Sequence, residues 1–132
     1  MILKKIKEAE ARTSGEIRVH VEKKCKTDPM KRATQLFAKL KMHKTAQRNG
    51  TLIYLATEDR KFVVLGDKGI DEKVPDNFWN EVVDKMGDYF KRGEFCEGLC
   101  WGIEKIGEKL KTYFPHQADD VNELSDEISE GE

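Results

Sequence analysis

Residues 51–65 read TLIYLATEDRKFVVL, which is two apolar runs separated by a short polar stretch. The first run, at 51–56, is almost continuously apolar, as is typical of a central strand covered on both faces. A short polar link between two such runs favours an antiparallel hairpin. The sequence therefore predicts a strand at 51–56, a turn around Asp59 and Arg60, and a second strand at 62–65.

Another strand and a helix precede this hairpin. Residues 16–22, EIRVHVE, alternate between polar and apolar side chains. This alternation indicates a half-buried strand with His20 on its polar face. Asp28 and Pro29 then form a strong helix start, with Asp28 as the cap. We expect this strand–helix–strand unit to be a right-handed parallel crossover.

Helical periodicity dominates the rest of the chain up to residue 115. A short amphipathic helix is predicted within 1–12, an aromatic helix after Asn77 and a last helix at 94–113. We expect the aromatic side chains to lie in the core, with a groove for a partner helix as the alternative. Each glycine in a helix is about 1 kcal/mol worse than alanine, so close packing on a neighbour is expected where the last helix carries Gly98, Gly102 and Gly107.

These elements predict an α/β fold. A small mixed sheet, built from the parallel β-α-β crossover and the antiparallel hairpin, is expected to be sandwiched by helices. The 132 residues are enough for one domain with a substantial core. We expect a single domain at 1–118, followed by an acidic C-terminal tail at 119–132.

The tail is expected to be solvated. We expect residues 116–121 and 129–132 to be mobile. Residues 122–124 and Ile128 are candidates to dock on the basic surface around Lys23, Lys24 and Lys26.

The charge balance excludes several classes of partner. The 24 basic and 25 acidic side chains give a net charge of -1, so no global field attracts nucleic acid or an anionic membrane.

No stretch approaches the roughly 20 apolar residues of a transmembrane helix, and no apolar signal core is present. We therefore expect a cytoplasmic monomer without a membrane anchor. An unknown protein partner is left open.

Several short motifs occur along the chain in a fixed order: TSGEIRV at 13–19, RNG at 48–50, DR at 59–60, GDKGI at 66–70, FW at 78–79 and NEL at 122–124. The ordered set resembles the TPM domain family, which is named for plant thylakoid, photosystem-repair and nematode receptor-associated members. The resemblance covers about residues 1–128. It implies a compact α/β sandwich, with acid phosphatase activity proposed for plant members and calcium binding reported for some.

The predicted topology sorts the polar motifs into two groups. The first two strands are parallel, so the turns before them lie at one edge of the sheet, and the third strand ends at that same edge. We call this edge the Asp67 rim, and its candidate residues are Ser14, Glu16, Arg48, Asn49, Asp67 and Asp71. Asp59 and Arg60, at the hairpin tip, belong to the opposite edge and form a second candidate position.

The Asp67 rim offers oxygen ligands for a hard cation. Calcium takes about 6–8 oxygens and tolerates irregular geometry, and the candidate ligands here are Glu16, Asn49, Asp67 and Asp71. Residues 67–71 do not have the spacing of an EF-hand loop. The alternative is that Asp67 and Gly69 only form a turn and that Glu16 pairs with Arg48.

A phosphatase site is less well supported by the motifs. Phosphoryl transfer needs a nucleophile or a metal-bound water, together with positive charge. The sequence has no Cys-x5-Arg loop, no Asp-x-Asp after a strand and no dense His/Asp cluster, and surface positions are expected for His20, His43 and His116. No catalytic residue is assigned. The favoured function is an accessory or binding domain that takes a divalent cation such as calcium, and the alternative is a weak metal-assisted acid phosphatase.

Overall fold

The computed structural model describes residues 2–115 and the backbone of 129–130. The helices are α1 Ile2–Glu10, α2 Pro29–Lys39, α3 Lys68–Asp71, α4 Phe78–Lys91 and α5 Phe95–Tyr113, with a short 3₁₀ turn at Met42–Lys44. The strands are β1 Glu16–Glu22, β2 Gly50–Ala56, β3 Lys61–Gly66 and β4 Ser129–Glu130. The boundary expected at 118 and the docking expected for 122–124 and Ile128 lie outside the described residues.

The sheet has the order β3-β2-β1-β4. β1 and β2 are parallel, with Glu16 opposite Gly50, while β2 and β3 are antiparallel, with Thr51 opposite Gly66. The predicted hairpin is therefore confirmed, and β2 lies between the other two predicted strands. The mixed α/β fold class is confirmed as well.

Helices cover both faces of the sheet. One face carries Ile17, Val19 and Ile53, which pack with apolar side chains of α1, α4 and α5 in one core cluster. The other face carries Leu52 and Tyr54, and α2 covers it with the apolar side chains Ala33, Leu36 and Phe37.

The position of α2 shows that the prediction for β1 was wrong in one respect. A half-buried strand with a surface His20 was expected, but the His20 side chain is only 7% exposed. The physical reason is that α2, the crossover helix, lies on the face that alternation marks as polar. His20, Glu16 and Glu22 are consequently buried polar side chains of β1.

The glycines of α5 lie where neighbouring helices approach closely. A Cβ atom at Gly102 would be 2.5 Å from the Met86 sulfur atom, and one at Gly107 would be 2.8 Å from the Ala9 Cβ atom. The predicted close packing of α5 is therefore confirmed, against both α4 and α1. The aromatic helix α4 buries Phe78 and Phe90 in the core, as expected.

The last strand differs from what the sequence suggested. Residues 129–132 were expected to be mobile, but Ser129–Glu130 pairs in parallel with His20 and Val21 of β1. The edge of β1 offers backbone donors and acceptors that a strand can satisfy, which explains the pairing.

Among the helices in the described ranges, none is long and apolar enough to span a bilayer.

Candidate functional site

The Asp67 rim is formed by three turns, as the topology requires. The backbone amide of Asp67 donates to the Gly50 carbonyl at 2.9 Å, and that of Gly69 donates to the Arg48 carbonyl at 2.8 Å. On the other side, the Nδ2 atom of Asn49 donates to the Ser14 hydroxyl at 3.4 Å. The structure therefore brings Ser14, Arg48, Asn49 and Asp67 to one edge of the sheet.

Arg48 and Asp67 form a bidentate ion pair at this rim. The Arg48 Nε and Nη2 atoms donate to the two carboxylate oxygens of Asp67 at 2.6 and 2.9 Å. The Asp67 side chain is 7% exposed, whereas that of Arg48 is 39% exposed. Two parallel hydrogen bonds of this kind fix the geometry as well as contributing energy. The sequence alternative that paired Glu16 with Arg48 is therefore wrong.

Asp67 also begins the short helix α3. Its carboxylate accepts a hydrogen bond from the backbone amide of Lys68 at 2.8 Å, so it acts as the helix N-cap. One helical turn later, the carboxylate of Asp71 accepts from the Trp79 indole at 3.0 Å. Both acids thus have partners within the domain, and Asp71 ties α3 to α4.

The glycines of the rim motifs are required for close approach. A Cβ atom at Gly69 would lie 2.0 Å from the Gln47 carbonyl oxygen. A Cβ atom at Gly15 would lie 2.5 Å from a methyl carbon of Leu110. The neighbouring Thr13 hydroxyl donates to the Leu110 carbonyl at 2.9 Å and also contacts the Phe114 carbonyl. These motif residues therefore hold the rim turns against each other and against the end of α5.

Two of the four predicted cation ligands, Asp67 and Asp71, have partners within the domain. Both oxygens of Asp67 are engaged by Arg48, and Asp71 is engaged by Trp79. Within the described part of the chain, no three His, Cys, Asp or Glu side chains are grouped so that they could hold a metal ion. One feature does favour an added ligand: the Oδ1 atom of Asn49 is buried and has no hydrogen-bond partner among the described residues. A cation at Asp67 would have to displace Arg48.

Asp59 and Arg60 lie at the opposite edge of the sheet, as predicted. The Asp59 carboxylate accepts a hydrogen bond from the Cys25 backbone amide at 2.6 Å, so it joins the hairpin tip to the loop after β1. Arg60 has a φ of 54°, a left-handed conformation that costs a non-glycine residue about 1 kcal/mol. Asp59 thus has a structural role, while the Arg60 side chain is exposed.

A buried polar cluster was missed by the sequence analysis. Glu22 lies at its centre: its carboxylate accepts from the Tyr54 hydroxyl at 2.6 Å, lies 3.2 Å from the His20 Nε2 atom and is bound by the Arg32 guanidinium. Burial alone would raise the pKa of Glu22, but hydrogen bonds from Arg32, Tyr54 and His20 outweigh it and lower that pKa to about 2. Burial lowers the pKa of His20 below its ordinary value, although Glu22 opposes this effect.

The sequence held one signal for this cluster. His20 and Glu22 are two residues apart on one face of a strand, and Tyr54 is opposite His20 in the parallel register. Polar residues at adjacent positions of paired strands must find partners if a helix covers them. The crossover helix α2 supplies that partner through Arg32.

Comparison with known proteins assigns the chain to a family. The sequence profile of the TPM domain family matches residues 1–109, and the chain therefore belongs to the TPM domain family. The comparison with curated proteins gave no match.

Two solved structures are similar to the chain. The NMR structure of the BA42 protein from the psychrophilic bacterium Bizionia argentinensis is 48% identical, with a TM-score of 0.91 over 98% of this chain and 90% of that one. The N-terminal domain of the cg2496 protein from Corynebacterium glutamicum is 13% identical, with a TM-score of 0.61 over 92% and 73% of the two chains. At that lower identity the similarity concerns the fold alone.

Proposed function

We propose that the protein is an accessory, ligand-binding TPM domain, in which a divalent cation such as calcium competes with Arg48 for the Asp67 carboxylate. The observation that carries the proposal is the Arg48–Asp67 pair, which joins a buried acid to a half-exposed base. The acid is held in place by the Lys68 amide, whereas the Arg48 side chain can move into solvent. The Arg48 side chain would then pair with the Asp67 carboxylate in the free protein, and the ion would replace it there.

The neighbouring oxygens support this competition. The Asn49 Oδ1 atom needs a partner, and the Ser14 hydroxyl lies within 3.4 Å of the same amide group. Calcium prefers carboxylate, amide and water oxygens. The expected affinity is modest, because each ion bound must first replace a bidentate salt bridge.

A calcium titration followed by backbone amide signals tests the proposal. We expect shifts centred on residues 14–16, 48–50 and 66–71 at millimolar ion. Arg48→Gln should bind calcium about tenfold more tightly, because the competing cation is removed, and Asp67→Asn should abolish the shifts. Arg92→Gln is the matched control, since Arg92 is the base of an exposed pair with Glu94. Shifts centred on 57–61, or none, would contradict the proposal.

The phosphatase alternative is decided with the same samples. Turnover of a generic phosphate ester that requires the ion and is lost in Glu16→Ala and Asp67→Ala would favour the enzyme. Calcium binding without turnover favours the accessory domain.

A further inference from the structure

A small apolar cavity lies between the hairpin tip and the connection from α4 to α5. It has a volume of about 170 Å³, and its residues are Leu55, Arg60, Phe62, Gly87, Phe90, Lys91 and Phe95. A dry cavity of roughly 150 Å³ lined by aliphatic and aromatic side chains accommodates a benzene ring. The cavity is therefore the size of one six-membered ring.

The aromatic side chains of the lining pack against one another. Phe62 contacts Phe90 edge to face, with ring centroids 4.8 Å apart, and Phe90 lies 5.7 Å from Phe95. Leu55 is opposite Phe62 in the β2–β3 register and is buried. A third ring would add aromatic contacts of the offset or edge-to-face type, which are favourable beyond the area they bury.

Gly87 keeps one wall of the cavity open. A Cβ atom at this position would lie 3.7 Å from two carbon atoms of the Phe62 ring, which is an ordinary contact distance. Neither backbone crowding nor a positive φ requires glycine there. Any larger side chain at position 87 would occupy space next to Phe62.

Two residues of the cavity lining carry a positive charge. Arg60 and Lys91 are exposed, and within residues 2–115 neither forms an ion pair. The nearby acid Asp59 is directed to the Cys25 amide, and Glu94 is paired with Arg92 at 2.9 Å. The lining therefore presents two cationic side chains that are not held in salt bridges within the described residues.

We propose that this cavity is a binding site for a small aryl carboxylate, whose ring enters between Phe62, Phe90 and Phe95 and whose carboxylate meets Arg60 and Lys91. The aryl group matches the volume and the lining, and the carboxylate matches the charge. The site is at the opposite edge of the sheet from the Asp67 rim, so it is independent of the function proposed there. About ten non-hydrogen atoms support a dissociation constant on the order of 0.1–1 mM.

The experiment is a titration of the full chain with phenylacetate, followed by backbone amide signals. We expect saturable shifts centred on 55, 60–62, 87–91 and 95. The neutral analogue phenylacetamide should bind roughly threefold to tenfold more weakly, because it lacks the charge that exposed cations recognise. Equal affinity for the two probes, or shifts confined to other parts of the chain, overturns the proposal.

Variants separate the cavity from the charges. The double variant Arg60→Gln/Lys91→Gln should weaken phenylacetate to the level of phenylacetamide, while the control Lys73→Gln, an exposed lysine outside the lining, should bind as the wild type does. Gly87→Leu should abolish binding of both probes. If that variant does not fold, Gly87→Ala, whose Cβ atom would meet only ordinary contacts, should still weaken both probes severalfold by taking up space in the cavity. Unchanged binding in the cavity variants, or in the double variant, overturns the proposal.

Discussion

Gly69 has the tightest backbone environment of the rim. The backbone carbonyl oxygens of Gln47 and Arg48 lie 2.0 and 2.6 Å from where its Cβ atom would be. Backbone atoms cannot rotate away as the end of a side chain can. Any side chain at position 69 must therefore push the turn at 47–48 away from the start of α3.

Gly69→Ala is accordingly expected to destabilise the protein by about 3 kcal/mol, through forced displacement of packed backbone. The measurement is urea unfolding, with the midpoint shifted and the slope unchanged. Gly87→Ala is the matched control: it meets only ordinary contacts and should raise stability by about 0.5–1 kcal/mol, since alanine favours the helix interior. Equal stability of the two variants would show that the rim yields easily.

At the scale of elements, Glu22 joins β1, β2 and α2. Its partners are His20 in β1, Tyr54 in β2 and Arg32 in α2. The cluster lies under the crossover helix, on the sheet face away from α4 and α5. Its protonation state therefore bears on how firmly α2 is attached.

The pH dependence follows from the direction of both pKa shifts. The pKa of Glu22 falls from 4.5 to about 2 on folding, so its contribution is complete above pH 4.5 and is lost as the pH falls toward 2. The pKa of His20 is also lowered by folding, from 6.5, so the unfolded state binds this proton first and stability declines below about pH 6.5. Both groups make the protein less stable in acid.

Glu22→Gln should reduce stability at pH 7 by roughly 2 kcal/mol, allowing for the partial exposure of Arg32. It should also flatten the loss of stability between pH 5 and 3. Urea midpoints measured from pH 7 to 3 provide the test. The control Glu94→Gln removes an exposed carboxylate paired with Arg92 and should change stability by less than about 0.5 kcal/mol. Parallel pH profiles for Glu22→Gln and the wild type would argue against a coupled cluster.

For the whole molecule, the sheet is completed from the far end of the sequence. Ser129–Glu130 covers the β1 edge only at His20 and Val21. Deleting residues 119–132 should therefore preserve the fold and cost at most about 2 kcal/mol, the scale of a few lost backbone hydrogen bonds. Amide exchange should accelerate at 19–22.

Deletion of residues 131–132 alone is the control, because it retains β4. Amide spectra and hydrogen exchange of the two truncated chains give the answer. Collapse of the amide dispersion after the longer deletion would mean that the tail belongs to the core.

The fold was predictable because periodicity and topology are properties of the sequence. The continuous apolar run at 51–56 identified β2 as central, and parallel β1 and β2 placed Ser14, Asn49 and Asp67 at one rim. Side-chain pairing was not predictable in the same way. The topology places both Glu16 and Asp67 near Arg48, and only the geometry shows that Arg48 binds Asp67. The burial of His20 was not predicted, because the alternation of polar and apolar residues in β1 does not show that α2 covers the polar face.

The contact of Thr13 with the end of α5 has a consequence for the order of folding. The Thr13 hydroxyl donates a hydrogen bond to the backbone carbonyl of Leu110, 97 residues further along the chain. The β2–β3 hairpin, in contrast, joins neighbouring stretches of chain. Hairpins form within about 1–10 μs, and distant pairings are slower because loop closure costs entropy. The hairpin should consequently form early in the folding time course. Gly15 and the Asp67 rim should reach their final geometry only when α5 has docked.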